Sequence, residues 1–491
     1  MRQSGILLPI FSLPSPYGIG TLGKAARDFV DFLHRGNQRF WQMLPVGPTS
    51  YGDSPYQSFS TFAGNPYFID LDCLRADGLL AQAEIDAHAK NESETEIDYA
   101  YLFETRFPLL KIAYGRFKKP KDFESFCEKE KSWLNDYALF MAIKAENRHI
   151  SWQEWPKKLK YREEKALAAA KKRLKSEIDF YIFLQYLFFT QWAALKKYAK
   201  KKGVKLIGDT PIYVAMDSAD TWMNPELFML DENLAPTFVA GCPPDYFART
   251  GQLWGNPLYA WDKHREDGYA WWIHRIKAAF ELFDMLRVDH FRGFASFYAV
   301  PFGHATAEFG TWREGPRRAL FDAIKKALGK KAIIAEDLGF LTEDVFALLK
   351  QTGYPGMKVL QFAFDAYGQS AYLPHNYPHK TVVYTGTHDN TTVMGWFHEA
   401  NKKDIAFAKK YLVLSKAEGY AWGFLRGAWA SVADTAIATM QDVLARDASA
   451  RINTPSTLGG NWAWRLKGDE CTETLADKLR EITLRYGRNL K

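Results

Sequence analysis

Cysteine is scarce in this chain of 491 residues: Cys73, Cys127, Cys242 and Cys471 lie far apart and form no C-x-x-C pair. That excludes a disulfide-stapled scaffold and a zinc knuckle, and the four are expected to be buried thiols. Long apolar runs are missing too, and the stretch that follows Met1-Arg2-Gln3-Ser4-Gly5 is broken early by Pro9. No membrane span or signal segment is therefore expected, and the reading is a soluble, cytoplasmic protein with no membrane partner. His290, His304, His375, His379 and His388 show no helical H-x-x-x-H pair and no H-E-x-x-H, so no bound metal is expected. The absence of a G-x-S-x-G elbow argues against acyl transfer through a serine nucleophile.

What is present is globular in character: 47% hydrophobic residues, 15% aromatic, 34 Gly and 22 Pro, with a net charge of +7. The length permits several domains or one large α/β barrel. Positive charge is local, with 25 Lys and Arg against 12 Asp and Glu between Tyr101 and Lys205. This region includes Lys157-Lys158-Leu159-Lys160, Lys171-Lys172-Arg173 and Lys200-Lys201-Lys202 among good helix formers, which describes a solvated helical face. No zinc finger, RRM or similar module accompanies it, so no nucleic-acid partner is expected.

Short apolar runs ending in polar residues mark buried parallel strands. Six are read: 40–45, 205–209, 285–289, 332–337, 358–362 and 381–385, with 450–453 as a weaker seventh. Helical patterns lie between many of them, for example 314–328 and 342–351. Repeated strand-then-helix units predict a (β/α)8 TIM barrel, with a doubly wound sheet as the competing architecture. Residues 1–72 and 200–491 are assigned to the barrel. Residues 73–199 form a largely helical insertion that includes barrel helices near its end, and a loop-rich piece at 211–259 is placed over the cleft. Residues 473–488 read as one helix, leaving no separate C-terminal domain.

Gly18-Ile19-Gly20-Thr21-Leu22-Gly23 matches a dinucleotide fingerprint, but the preceding Leu13-Pro14-Ser15-Pro16-Tyr17 cannot be a central strand. It is read as a turn into a helix, and no cofactor is expected. The strand-end carboxylates Asp209, Asp289, Glu336, Asp337 and Asp389 either cap following helices or do chemistry. Arg287 lies two residues before Asp289, so both share one strand face, where a guanidinium can orient a carboxylate and keep it ionised. His388 beside Asp389 suits sugar hydroxyls. Opposed carboxylates, one ionised and one protonated, are what glycosidic bond cleavage requires. Aromatics within Gly, Pro and Ser segments, at 50–58 and 250–259, offer flat faces for sugar rings, with Asp, Asn and Gln nearby to bond hydroxyls.

Gly52-Asp53-Ser54-Pro55-Tyr56-Gln57, Gly208-Asp209-Thr210-Pro211-Ile212-Tyr213, 251–259, Arg287-Val288-Asp289-His290-Phe291-Arg292-Gly293, Ala335-Glu336-Asp337-Leu338-Gly339 and Thr387-His388-Asp389-Asn390 together resemble the 4-α-glucanotransferases, or amylomaltases, of the α-amylase clan. The resemblance runs from Leu7-Leu8-Pro9 to Pro455-Ser456-Thr457-Leu458-Gly459. It implies Asp289 as nucleophile, Glu336 as general acid and base, and Asp389 as the carboxylate that binds ring hydroxyls and stabilises the transition state. Tyr56, Asp209, Asp245, Gln252, Trp254, Arg287, His290, Asp337 and His388 are the expected substrate contacts. It further implies an interrupted barrel without a C-terminal β-sandwich. Expected donors are α-1,4-glucans and malto-oligosaccharides; acceptors are glucose or malto-oligosaccharides. An α-1,4-glucan hydrolase of the same clan and a non-enzymatic glucan-binding protein are the alternatives.

Overall fold

The computed structural model describes residues 2–88, 93–244, 249–339, 341–365 and 369–488. Eight parallel strands make the central sheet: β1 (Gln3–Leu7), β2 (Phe40–Gln42), β3 (Lys205–Thr210), β6 (Met285–Val288), β9 (Ile333–Ala335), β10 (Gly356–Val359), β11 (Thr381–Tyr384) and β12 (Thr435–Thr439). Their spatial order is β10-β11-β12-β1-β2-β3-β6-β9, so strands adjacent in this series along the chain are also neighbours in space, and β12 returns to β1. The one remaining gap closes where the Ala335 N–H donates to the Pro355 carbonyl at 2.9 Å. The result is an eight-stranded TIM barrel with long insertions.

Side chains alternate across a strand, so residues two apart share a face. Leu7, Phe40, Ile207, Ile334, Met357, Val382 and Ile437 pack together as one buried cluster. They fill the barrel interior, and positions two further along the strands, Gln42, Asp209, Glu336 and Tyr384, continue toward the carboxyl end. Small residues are required where strands crowd: a Cβ on Gly5 would lie 2.4 Å from the Phe40 carbonyl oxygen.

Two barrel strands escape the sequence reading. β1 opens with Gln3, Ser4 and Gly5 and has only Ile6 and Leu7 as bulky apolar residues, whereas β12 is Thr-Ala-Ile-Ala-Thr, whose small residues make no bulky apolar run. Residues 450–453 are not a strand; a 3-10 turn covers Ala448–Ala450 and an extended connection follows. The region 211–259 is also more ordered than a loop. It holds β4 (Phe238–Cys242) and β5 (Gln252–Pro257), which join β7 (Ser296–Pro301) and β8 (Thr311–Glu314) in an antiparallel sheet ordered β5-β4-β7-β8. Tyr259, read as a loop aromatic, is buried among Phe228, Trp261 and Trp272, because the chain turns inward after β5.

Helices fill most of the chain between β2 and β3, ending with the 27-residue helix Lys175–Lys201. Gln185 and Gln191 on this helix use their amides on the segment after β2. Gln185 accepts from the Gly64 N–H at 2.8 Å and donates to its carbonyl at 3.0 Å, while Gln191 accepts from the Asp70 N–H at 2.7 Å. The lysine-rich segments of this region are largely solvent-facing. The glycine-rich turn does lead into a helix, Lys24–Arg35. All four cysteines are half-buried rather than fully buried, and none forms a disulfide. Among the described residues no helix is long and apolar enough to cross a membrane.

Candidate active site

Period-two alternation carries Asp209, Arg287 and Asp289 to the same end of neighbouring strands β3 and β6. Arg287 is buried, and its Nη1 donates to Asp209 Oδ1 and Oδ2 at 2.8 and 2.6 Å and reaches Asp289 Oδ1 at 2.9 Å. One guanidinium nitrogen thus serves two carboxylates. Burial opposes the arginine charge, but Asp209 and then Asp289 outweigh it and hold Arg287 well above its ordinary value. Burial likewise raises Asp209, against the pull of Arg287 and the Tyr56 hydroxyl.

Glu336 follows β9, beside β6, and its backbone N–H donates to the Val288 carbonyl at 3.0 Å. Its carboxyl accepts the His290 N–H at 2.7 Å on Oε2 and the Leu338 N–H at 2.9 Å on Oε1. His290 can aim its N–H there because it adopts the left-handed conformation, φ 46°, an uncommon state for a residue with a side chain. Glu336 therefore bonds to the peptide joining Asp289 to His290, which brings the two acids side by side. Burial raises the Glu336 carboxyl strongly; Arg287 opposes the rise and the negative charge of Asp289 adds to it.

The third acid stands on the loop after β11. Asp389 is half-buried, with Oδ1 accepting from Asn453 Nδ2 at 2.6 Å and lying 3.4 Å from His388 Nε2. The same His388 nitrogen lies 2.9 Å from the Tyr56 hydroxyl, which donates to Asp209 Oδ2 at 2.9 Å. Tyr56 stacks on the His388 ring, with centroids 5.2 Å apart. Contacts thus run unbroken from Asp389 through His388, Tyr56, Asp209 and Arg287 to Asp289. Burial lowers His388, favouring the neutral imidazole.

The small sheet supplies the other wall. Trp254 on β5 meets the His290 ring edge-on at 4.7 Å, and its Nε1 donates to Gln252 Oε1 at 3.1 Å. Burial, then Arg292, push His290 down to about 3, so its ring is neutral. Asp337 lies differently. Its Oδ1 accepts the Met357 N–H on β10 at 2.6 Å, so this carboxyl spans the closing seam of the barrel. Asp245 falls outside the described residues. Of the remaining expected contacts, Tyr56, Asp209, Arg287, His290 and His388 are joined with the three acids, and Gln252 and Trp254 reach them through His290.

Three neighbours were not singled out from the sequence: Asn453 on Asp389, Arg451, whose Nη2 donates to the Asp389 carbonyl at 2.7 Å, and Trp462, whose ring lies 5.8 Å from Tyr56. Trp462 carries the signal used elsewhere, an aromatic after Gly459-Gly460-Asn461. Arg451 and Asn453 fall in 450–453, read from the sequence as a weak strand and found to be an irregular connection, and neither was assigned to the site. Among the described residues no group of three or more His, Cys, Asp or Glu side chains is placed to hold a metal ion.

A family model for 4-alpha-glucanotransferase matches residues 8–472. The 4-alpha-glucanotransferase of Clostridium butyricum is 50% identical, with 98% of this chain and 99% of that protein covered, and the Thermus thermophilus enzyme is 47% identical, with 98% of each covered. The solved structure of amylomaltase from Streptococcus agalactiae in complex with acarbose superposes with a TM-score of 0.97 at 43% identity over the full length of both chains. With a near-complete family match and relatives of this identity, the chain belongs to the 4-alpha-glucanotransferase family.

Proposed function

We propose that this 4-alpha-glucanotransferase moves α-1,4-glucan segments between malto-oligosaccharides by double displacement, with Asp289, Glu336 and Asp389 as its working acids. The observation that supports this most is the pairing at the ends of β6 and β9: a carboxylate held by Arg287 beside a buried carboxyl whose surroundings favour its protonated form.

In the first step Glu336 gives its proton to the glycosidic oxygen as Asp289 attacks the anomeric carbon. The carbon–oxygen bond breaks, the shortened glucan leaves, and the remaining segment is esterified to Asp289 with inversion. In the second step Glu336, now a carboxylate, takes the proton of an acceptor 4-hydroxyl; that oxygen attacks the same carbon, the ester bond breaks, and a second inversion restores the α configuration. Asp389 holds ring hydroxyls of the sugar being transferred and favours its oxocarbenium-like transition state. Arg287 and the Tyr56–His388 pair keep the acids in place before the sugar arrives, so little reorganisation accompanies the reaction. Gln252 and Trp254, on the wall opposite, bind the acceptor and limit entry of water. Donors are α-1,4-glucans and malto-oligosaccharides, and acceptors are glucose or malto-oligosaccharides.

Incubation with maltotriose, followed by chromatography, tests the assignment. The protein should yield glucose together with oligosaccharides longer than the substrate. The Asp289→Asn variant should lose this redistribution by a factor on the order of 10⁴ or more while keeping its circular dichroism. Redistribution at the native rate by that variant would remove Asp289 from the role of nucleophile.

A further inference from the structure

We infer that Asn453 and Arg451, on the connection after β12, are positioning residues that aim Asp389 at the sugar. The inference rests on the role of Asp389 proposed above.

The loop that carries Asp389 is fastened at both ends by one buried acid: Asp442 accepts the Thr385 hydroxyl at 2.6 Å and the Val393 N–H at 2.7 Å. That fixes where the loop begins and ends, but not the direction of a half-buried carboxylate at its middle. The connection after β12 supplies that direction. Asn453 donates from Nδ2 to Asp389 Oδ1 at 2.6 Å and from its backbone N–H to the His388 carbonyl at 3.1 Å. Arg451 donates to the Asp389 carbonyl at 2.7 Å and, through Nε, to the Asn453 carbonyl at 2.7 Å. The two residues therefore grip backbone and side chain of the same acid, and each braces the other.

An amide is well suited to this place. It donates to a carboxylate without adding charge, so it orients one Asp389 oxygen while the carboxyl can still accept from sugar hydroxyls. The charged or titratable groups that bear on it are His388 on its own loop, Arg451 on the connection after β12 and Tyr56 on the segment after β2; Arg287 and Asp289, on and after β6, act in turn on His388 and Tyr56. A carboxylate at position 453 would face Asp389 at the distance of a shared proton.

Two substitutions test this. Asn453→Asp, equal in size, should move the acid limb of the pH profile of kcat/KM to higher pH by on the order of one unit. Asn453→Ala should lower kcat by a factor on the order of 10 to 100, with a smaller change in KM. Circular dichroism and thermal melts establish that each variant folds; if Asn453→Ala does not, the profile of Asn453→Asp decides. A native pH profile in folded Asn453→Asp, or native kcat in folded Asn453→Ala, would overturn the inference. Asp389→Asn separates the two claims: if it is inactive while the Asn453 variants behave as native, only the positioning role fails, whereas native activity in Asp389→Asn removes the role of Asp389 itself.

Discussion

In the mechanism proposed above Glu336 begins the reaction with a proton and ends its first step without one, and burial disposes it to that cycle. Two backbone N–H groups point at its oxygens, which alone would favour the anion, yet burial prevails and raises it. The acid form therefore persists to higher pH than for an exposed glutamate, and kcat/KM should fall on the alkaline side as pH climbs through the raised value. The same shift acts on stability: because the folded carboxyl is raised, its contribution is complete below the unfolded value of about 4.3 and is lost as pH rises through the folded one. A pH–rate profile whose alkaline limb begins at an ordinary glutamate value would contradict this account. At this scale the position of the three acids beyond the ends of strands was legible because each ends or follows a short apolar run. Tyr56 and Trp254 were legible as aromatics among glycine, serine and proline. Asn453 and Arg451 were not, since a hydrogen bond between two irregular segments leaves no periodicity in either.

The seam between β9 and β10 is closed by one backbone bond and by Asp337, whose carboxyl takes the N–H of Met357. Burial raises Asp337 to about 6. Asp337→Ala should leave that buried N–H without a partner and cost about 1–3 kcal/mol in urea unfolding. Asp337→Asn keeps an acceptor oxygen and avoids burying a charge. Relative to the native chain it should gain stability as pH rises from about 4, the usual aspartate value, to 6, and not below that range. An Asn variant as unstable as the Ala variant would show that the seam needs the charge. Elements were legible where their residues are bulky: five barrel strands announce themselves through Val, Ile, Leu and aromatic side chains, whereas the reading at 358–362 catches only the end of β10, since Leu360–Phe362 form a 3-10 turn. Strands β1 and β12 did not, because their alanines, glycine and threonines are chosen to fit between neighbours. The small sheet was hidden for another reason, since Gln252-Leu253-Trp254-Gly255 alternates between the cleft and the outside rather than between core and solvent.

Across the molecule, the helical insertion is joined to the cleft. Gln185 lies fully buried in the long helix and completes both backbone bonds of Gly64, on the same connection as Tyr56. Gln185→Ala should leave two buried backbone groups unpaired, at about 1–3 kcal/mol each, and should raise KM for maltotriose as the Tyr56 segment loosens. Reduced stability with native KM would mean that the insertion supports the barrel without shaping the site. The helical character of the chain between β2 and β3 was legible in the sequence from its pattern of helix formers and charge. The union of insertion and barrel through amide pairs was not, because glutamine reads the same in a core as on a surface.

Strand β1 occupies residues 3–7 and pairs with β2 on one side and with β12, residues 435–439, on the other. Arg488 donates to the Gln3 carbonyl at 3.0 Å, adding a second tie across almost the whole chain. During synthesis, then, β1 keeps one edge open until the other strands of the barrel have emerged. Closing so long a loop is slow, and an open edge invites pairing with other chains. Refolding from denaturant should accordingly be limited by this last stitch, and nascent chains should rely on chaperones to shield it.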